Sequence, residues 1–313
     1  MPSLKELSKR EERLSRGHRL CPGCGASVIV RQILLAAEDP VVLSCATGCL
    51  EVATTIYPYT AWKTPFIHCA FENSSATLSG VETAYRSLKK QDKIDKTIKF
   101  IAFGGDGGTY DIGLQALSGV LERGHNLLYV CYDNQAYMNT GIQRSSASPC
   151  GAATTTSPVG KVITEGKQEE RKDLTEIVVA HGTPYVAQAS PAFYNDLMKK
   201  VQKALSTEGP SFMNILSPCP RGWRYSDSQS IEIARLAVLT GVWPLYEVEN
   251  GKYRITYRPR KKRRPLIDWI KSQGRFKHLL REENKAILDK LERSVRQREE
   301  KLLALAGEKG EAL

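Results

Sequence analysis

The chain has 313 residues, 41% of them hydrophobic, enough for one substantial buried core or a core with a tail. Lys and Arg number 45 against 34 Asp and Glu, a formal charge of +11 that suits acidic partners. No apolar run approaches the roughly 18 residues of a membrane span and no secretory signal is visible, so no membrane contact and a cytoplasmic location are expected.

In a reducing cytoplasm, clustered cysteines bind metal or act in redox chemistry more often than they form disulfides. The first two of the eight lie in Cys21-Pro22-Gly23-Cys24, a tight loop whose Pro and Gly residues leave backbone N–H groups free to face sulfur. Cys45 and Cys49 follow. Two readings stay open here: two further thiolates complete a [4Fe–4S] cluster, or Cys21, Cys24, Cys45 and Cys49 form a tetrahedral zinc site. Cys69 and Cys131 lie in apolar runs and read as small buried hydrophobes, and Cys150 sits in a polar loop. His18 and His68, each alone, read as hydrogen-bonded structural residues.

Strands are expected at 41–44 and 66–69, and a helix over 74–90. The next apolar run, 97–103, leads into Gly104-Gly105-Asp106-Gly107-Gly108, where glycine lets the backbone turn tightly and approach a ligand. Asp111 is the expected helix start. Ile112, Leu114, Leu117, Val120 and Leu121 then recur at helical spacing as far as Arg123-Gly124, and 127–132 reads as a buried strand. Strand, crossover helix and strand imply parallel pairing. Asp106 and Asn134 therefore sit past the carboxyl ends of neighbouring strands, where open α/β sheets bind ligands. A hard cation there would take the Asp106 carboxylate, the Asn134 amide oxygen, a backbone carbonyl and diphosphate oxygens.

The polar stretch 139–161 exceeds what a connector needs and is expected to order around a cofactor or a partner subunit. Within it, Arg144 could meet a carboxylate bidentately or bridge to another subunit. Further strands at 185–188 and 212–216, with helices over 174–180 and 192–205, give an α/β fold: a parallel sheet with helices on both faces.

After Cys219 the character changes. A small hairpin is expected from 241–248 and 252–257 across Asn250-Gly251, then a basic run at 258–264 and a charged helix over 281–306 with an intermittent apolar face. The chain is thus read as a cofactor-binding domain, 1–222, and a basic extension, 223–313, that contacts another subunit. No RNA- or DNA-binding motif accompanies the basic run, so an acidic protein rather than nucleic acid is its expected partner.

Gly105-Asp106-Gly107 followed one crossover helix later by Asn134 resembles the thiamine diphosphate signature. With Cys21-Pro22-Gly23-Cys24-Gly25, Thr47-Gly48-Cys49-Leu50-Glu51, the stretch 132–146 and Ser217-Pro218-Cys219-Pro220, it resembles the β subunit of the 2-oxoacid:ferredoxin oxidoreductases, closest to the pyruvate branch, over about residues 17–280. The resemblance implies that Cys21, Cys24, Cys49 and Cys219 hold a [4Fe–4S] cluster. It also implies that Asp106, Asn134 and the Ala136 carbonyl bind Mg²⁺ on the diphosphate, beside Gly105 and Gly107, and that Asn139 positions substrate. Cys45 then becomes a packing residue.

The implied activity is oxidative decarboxylation of pyruvate or a related 2-oxoacid, with thiamine as electron sink, coenzyme A as acyl acceptor and ferredoxin as electron acceptor. Other subunits would supply the carboxylate that activates thiamine, since Glu51 and Glu72, the acids near the early motifs, suit surface or capping roles as well. The chain alone is therefore expected to be inactive. A branched-chain 2-oxoacid or oxalate is the alternative substrate, and a non-oxidative thiamine enzyme or a zinc-stabilised interaction module the alternative function.

Overall fold

The computed structural model describes residues 4–259 and 263–307. Among them, eight strands form one sheet: β1 (Val41–Ala46), β2 (Phe66–Cys69), β3 (Lys99–Gly105), β4 (Leu128–Asp133), β5 (Tyr185–Ala189), β6 (Ser211–Leu216), β7 (Tyr246–Glu249) and β8 (Lys252–Ile255). Their order is β2-β1-β3-β4-β6-β5-β7-β8. The first six positions are parallel, and β7 and β8 add antiparallel at the β5 edge.

The central strands β4, β5 and β6 are buried along their whole length, as near-continuous apolar runs in a doubly covered parallel sheet should be. Alternate residues face opposite ways. Ile101, Phe103, Val130 and Met213 pack with the helices Gly25–Ala36 and Tyr194–Ser206, while Phe100, Ala102, Tyr129 and Phe212 meet Leu78, Leu117 and Val178 of the helices on the other face. A third cluster, built on Trp223, Trp243 and Trp269, fastens the segment beyond residue 220 to the rest.

The hairpin forms, with Asn250 at φ +49° and Gly251 at φ +77°, the two left-handed residues that a tight two-residue turn between right-twisted strands requires. It is no free-standing ribbon, because β7 pairs with β5 from Tyr185↔Glu249 to Gln188↔Tyr246. The last helix, Lys285–Leu305, buries Leu291, Val295, Leu302 and Leu303 against the body of the chain. The expected basic run falls partly outside the described residues; within them, Arg263 donates to the Thr240 carbonyl and pairs with Glu299, and Arg264 pairs with Asp268 at 2.7 Å. No helix of the described residues is long and apolar enough to cross a membrane.

The glycine segment after β3 differs from expectation. None of Gly104 to Gly108 takes a positive φ. Their missing side chains matter instead for close approach: a Cβ on Gly104 would stand 2.2 Å from Tyr129 Oη, and one on Gly107 would stand 2.5 Å from the Tyr137 ring. Helical structure begins before Asp111, as a wide turn over Gly107–Asp111 directly after Asp106, and the α-helix proper runs Leu114–Glu122.

Candidate active site

The cysteine motifs, the glycine segment and Asn134 gather at the carboxyl edge of the sheet. β1 delivers Thr47, Gly48 and Cys49, β3 delivers Asp106, β4 delivers Asn134 to Ala136, and β6 delivers Ser217 to Cys219. Two cavities open there. One, of about 220 Å³, is lined by Thr47, Cys49, Gly105 to Gly108, Asn134, Ala136 and Tyr137. The other, of about 460 Å³, is lined by Cys21, Cys24, Cys49 and Cys219 among others. Cys49, Tyr132, Asn134 and Asn139 belong to both walls.

In the first cavity Asp106 is fully buried and its oxygens are committed. Oδ1 accepts from the backbone N–H groups of Asn134 and Gln135, each at 3.1 Å, and Oδ2 accepts from Ser145 Oγ at 2.5 Å. Burial, with the Asp133 carboxylate beside it, pushes the Asp106 carboxyl well above the usual carboxylate range. Gln135 is held at φ +69°, a strained conformation that turns the chain and aims Asn134 back at Asp106. The Asn134 amide group closes on two oxygens, Asp106 Oδ1 at 2.9 Å and the Ala136 carbonyl at 2.8 Å. With nitrogen inward it donates to both; with oxygen inward three hard oxygens converge, an arrangement that a cation satisfies. The donor set fits a small divalent ion shared with a diphosphate.

In the second cavity Cys21, Cys24, Cys49 and Cys219 are electrostatic neighbours. Burial pushes the Cys24 thiol up to about 11 and the Cys49 thiol up to about 12. Backbone N–H groups face the sulfurs, those of Ala26 and Ser27 toward Cys24 and that of Gly222 toward Cys219 at 3.4 Å. Thiols with N–H donors around them could give up their protons to a thiophilic metal. Among the described residues no three His, Cys, Asp or Glu side chains gather tightly enough for one metal ion.

The zinc alternative loses its geometry here. Strand alternation turns Cys45 into the core, where Glu51 and Cys69 are its electrostatic neighbours and the other three cysteines of that set are not. Cys219, far along the chain, lies with Cys21, Cys24 and Cys49 instead.

The expected functional loop is ordered against the site. Ser145 donates to Asp106, the Ser146 N–H and Tyr137 Oη donate to Asp111 Oδ2 at 3.1 and 3.0 Å, and Arg171 pairs with the buried Asp133 at 2.7 Å. Lys167, buried, donates to the Ser148 carbonyl at 2.6 Å. Arg144 pairs with Glu169 of the same loop at 3.6 Å and does not reach the cavity wall. Asn139 lies within hydrogen-bonding reach of Cys49 Sγ. His68 binds Thr47 Oγ1 at 2.7 Å and faces the buried Glu51 at 3.2 Å, so Glu51 is committed, while Glu72 is exposed. His18 Nδ1 is buried without a hydrogen-bond partner.

Two residues without motif character also reach the site: Arg171 behind Asp133, and Arg275, which donates to Gln135 Oε1 at 2.6 Å and stacks on Trp223 at 4.0 Å. A lone arginine in a polar loop or after a tryptophan-rich segment carries no local signal, so neither could be read from the sequence.

Residues 46–215 match the model of the C-terminal, thiamine pyrophosphate-binding domain of the thiamine pyrophosphate enzymes. A pyruvate synthase subunit PorB of Thermotoga maritima is 55% identical over 96% of this chain and 94% of its own. The chain belongs to the β subunits of the 2-oxoacid:ferredoxin oxidoreductases, in the pyruvate branch. The subunit of the same name from Methanocaldococcus jannaschii is 56% identical over 88% of this chain and 92% of its own. Among solved structures, a 2-oxoglutarate:ferredoxin oxidoreductase from Magnetococcus marinus, with 2-oxoglutarate, coenzyme A and succinyl-CoA bound, matches with a TM-score of 0.55 at 20% identity, over 72% of this chain and 81% of that one. That likeness carries the fold.

Proposed function

We propose that this subunit holds thiamine diphosphate with Mg²⁺ in the smaller cavity and a [4Fe–4S] cluster in the larger, for coenzyme A-dependent oxidation of pyruvate with electrons passed to ferredoxin. The observation that carries the reading is the common wall: Cys49, Tyr132, Asn134 and Asn139 line both cavities, so an electron source and a first acceptor would sit side by side. Bound thiamine supplies an electron sink for decarboxylation, and a cluster supplies a one-electron acceptor.

The chain's own residues would do the rest. Asp106, Asn134 and the Ala136 carbonyl would hold the ion, and Ser145 fixes the orientation of Asp106. Gly105 and Gly107 line the same cavity and would lie beside the diphosphate. Cys21, Cys24, Cys49 and Cys219 would bind iron. Asn139, projecting where the cavities meet, would orient the 2-oxoacid.

Among the described residues that line the smaller cavity, Asp106 is the one carboxylate, and in this reading it serves the ion. The carboxylate that activates thiamine would therefore come from another subunit, with the segment 223–313 as a contact surface for it, and the chain alone would not turn over. The relatives' names support pyruvate, while a ketoisovalerate oxidoreductase subunit VorB of Pyrococcus abyssi, 46% identical over 90% of this chain, keeps a branched substrate within the screen.

The test is dye reduction by the anaerobically purified complex with coenzyme A and each of pyruvate, 2-oxoisovalerate, 2-oxoglutarate and oxalate, beside the isolated chain. Pyruvate should give the highest kcat/KM and the isolated chain no turnover. Failure of every 2-oxoacid would overturn the reading.

A further inference from the structure

Arg275 is only 2% exposed, yet among the described residues no carboxylate pairs with it directly, Asp133, the carboxylate within its electrostatic reach, being paired with Arg171. Its Nη2 donates to Gln135 Oε1 at 2.6 Å and its Nε to Gln273 Oε1 at 2.9 Å, both neutral acceptors. The guanidinium lies over the rings of Trp223 at 4.0 Å, Phe276 at 4.8 Å and Trp269 at 5.5 Å. Lys200, also buried, and Arg171, largely so, show how the fold otherwise treats such charges: each holds a carboxylate at 2.7 Å. A buried cation with no directly paired counter-charge is costly, and an anion bound nearby would offset that cost. Burial draws the group down to about 9, leaving it charged at neutral pH.

The position of Arg275 identifies the anion. Gln135, its first acceptor, directly follows Asn134. Trp223, its closest ring, ends the short turn Pro220–Trp223 that begins beside Cys219, and Trp223 Nε1 donates to the Asn134 carbonyl at 2.7 Å. Cys219 lies within electrostatic range of the guanidinium, as does Asp133. Arg275 is thus wedged between the segment that carries Cys219 and the turn that carries Asn134. A cluster held by four thiolates is a net anion, and each electron it accepts makes it more negative.

We propose that Arg275 is the built-in counter-cation of the cysteine-held cluster, a positioning residue that stabilises its reduced form and so favours the electron's arrival from the thiamine side. This rests on the reading of the four cysteines as a cluster site. Hydrogen bonds and charge around the sulfurs are established means of setting a cluster's potential. Here the charge comes from the segment beyond the sheet, through packing on three aromatic rings.

The test is an EPR-monitored redox titration of the anaerobically purified complex carrying wild-type, Arg275→Met or Arg275→Lys chain, with iron and thiamine counted in each. The Met variant should hold its iron and titrate at a lower midpoint potential, with kcat reduced more than KM is changed, and the Lys variant should stay near wild type. Should the Met variant instead lose iron while Lys keeps both iron and potential, the need for a charge is equally shown. An unchanged midpoint in an iron-replete Met variant would overturn the proposal, as would loss of iron in both variants, which marks a purely structural role. Absence of iron from the wild-type complex would sink the functional reading itself, a separate result.

Discussion

Replacing Lys167 with Met should change how stability depends on pH, by an amount the structure allows to be worked out. The side chain is 1% exposed and its ammonium donates to the Ser148 and Glu170 carbonyls at 2.6 and 3.3 Å. Burial lowers its pKa from 10.5 to about 8. At about 1.4 kcal/mol per pH unit that drop corresponds to about 3 kcal/mol. The sign follows from proton counting. Below pH 8 the lysine is charged in the folded and unfolded chain alike, and the cost of burying the charge is fully present. Between 8 and 10.5 the unfolded chain binds the proton and the folded chain does not, so stability rises with pH. Wild type should therefore gain about 3 kcal/mol over the Met variant across that interval, other titrating groups cancelling in the difference. Urea unfolding of both proteins at intervals from pH 7 to 10.5 measures it. Parallel stability curves would refute the account of a buried charge clamping the loop.

Ser145→Ala removes the donor that fixes Asp106 Oδ2 and should weaken thiamine diphosphate binding in the presence of Mg²⁺ by about tenfold, about 1.4 kcal/mol; an unchanged titration would show that Asp106 needs no such support. Cys219→Ser should deplete the complex of iron, while Cys45→Ser, a substitution in the core of β1, should lower stability and leave iron per folded chain unchanged; equal iron loss in both would revive a site using Cys45. Arg171→Met strands the buried Asp133 carboxylate and should cost about 3–5 kcal/mol in unfolding free energy; a loss below about 1 kcal/mol would mean that Tyr110 and the Gln135 N–H suffice to hold that carboxylate.

What could be read from the sequence was local chemistry on a regular frame. The runs ending at Gly105 and Asp133 are continuous and apolar because both faces of a parallel sheet are covered, and two such runs around a crossover helix fix where Asp106 and Asn134 emerge. The Cys21 loop and Cys219 were legible as sulfur chemistry, but not as neighbours on residue type alone, since that depends on β6 lying beside β4. The helix Gly25–Ala36 runs against local preference: Val28, Ile29 and Val30 are stiff, β-branched residues, and burial of Ile29, Val30 and Ile33 on the sheet outweighs the deficit. The wide helical turn after Asp106 was hidden because clustered glycines signal a reversal, whereas here they admit Tyr129 and Tyr137. Arg171 and Arg275 were invisible for a different reason: their roles come from tertiary partners, Asp133 and Trp223, that no periodicity connects to them.

The most direct measurement is the content of iron, acid-labile sulfide, magnesium and thiamine per copy of this chain in the anaerobically purified complex, taken with its visible spectrum. A brown complex with thiamine, magnesium and one cluster's worth of iron and sulfide assigned to this subunit is the expected result. Stoichiometric zinc with neither thiamine nor sulfide would contradict the two-cavity account at its root.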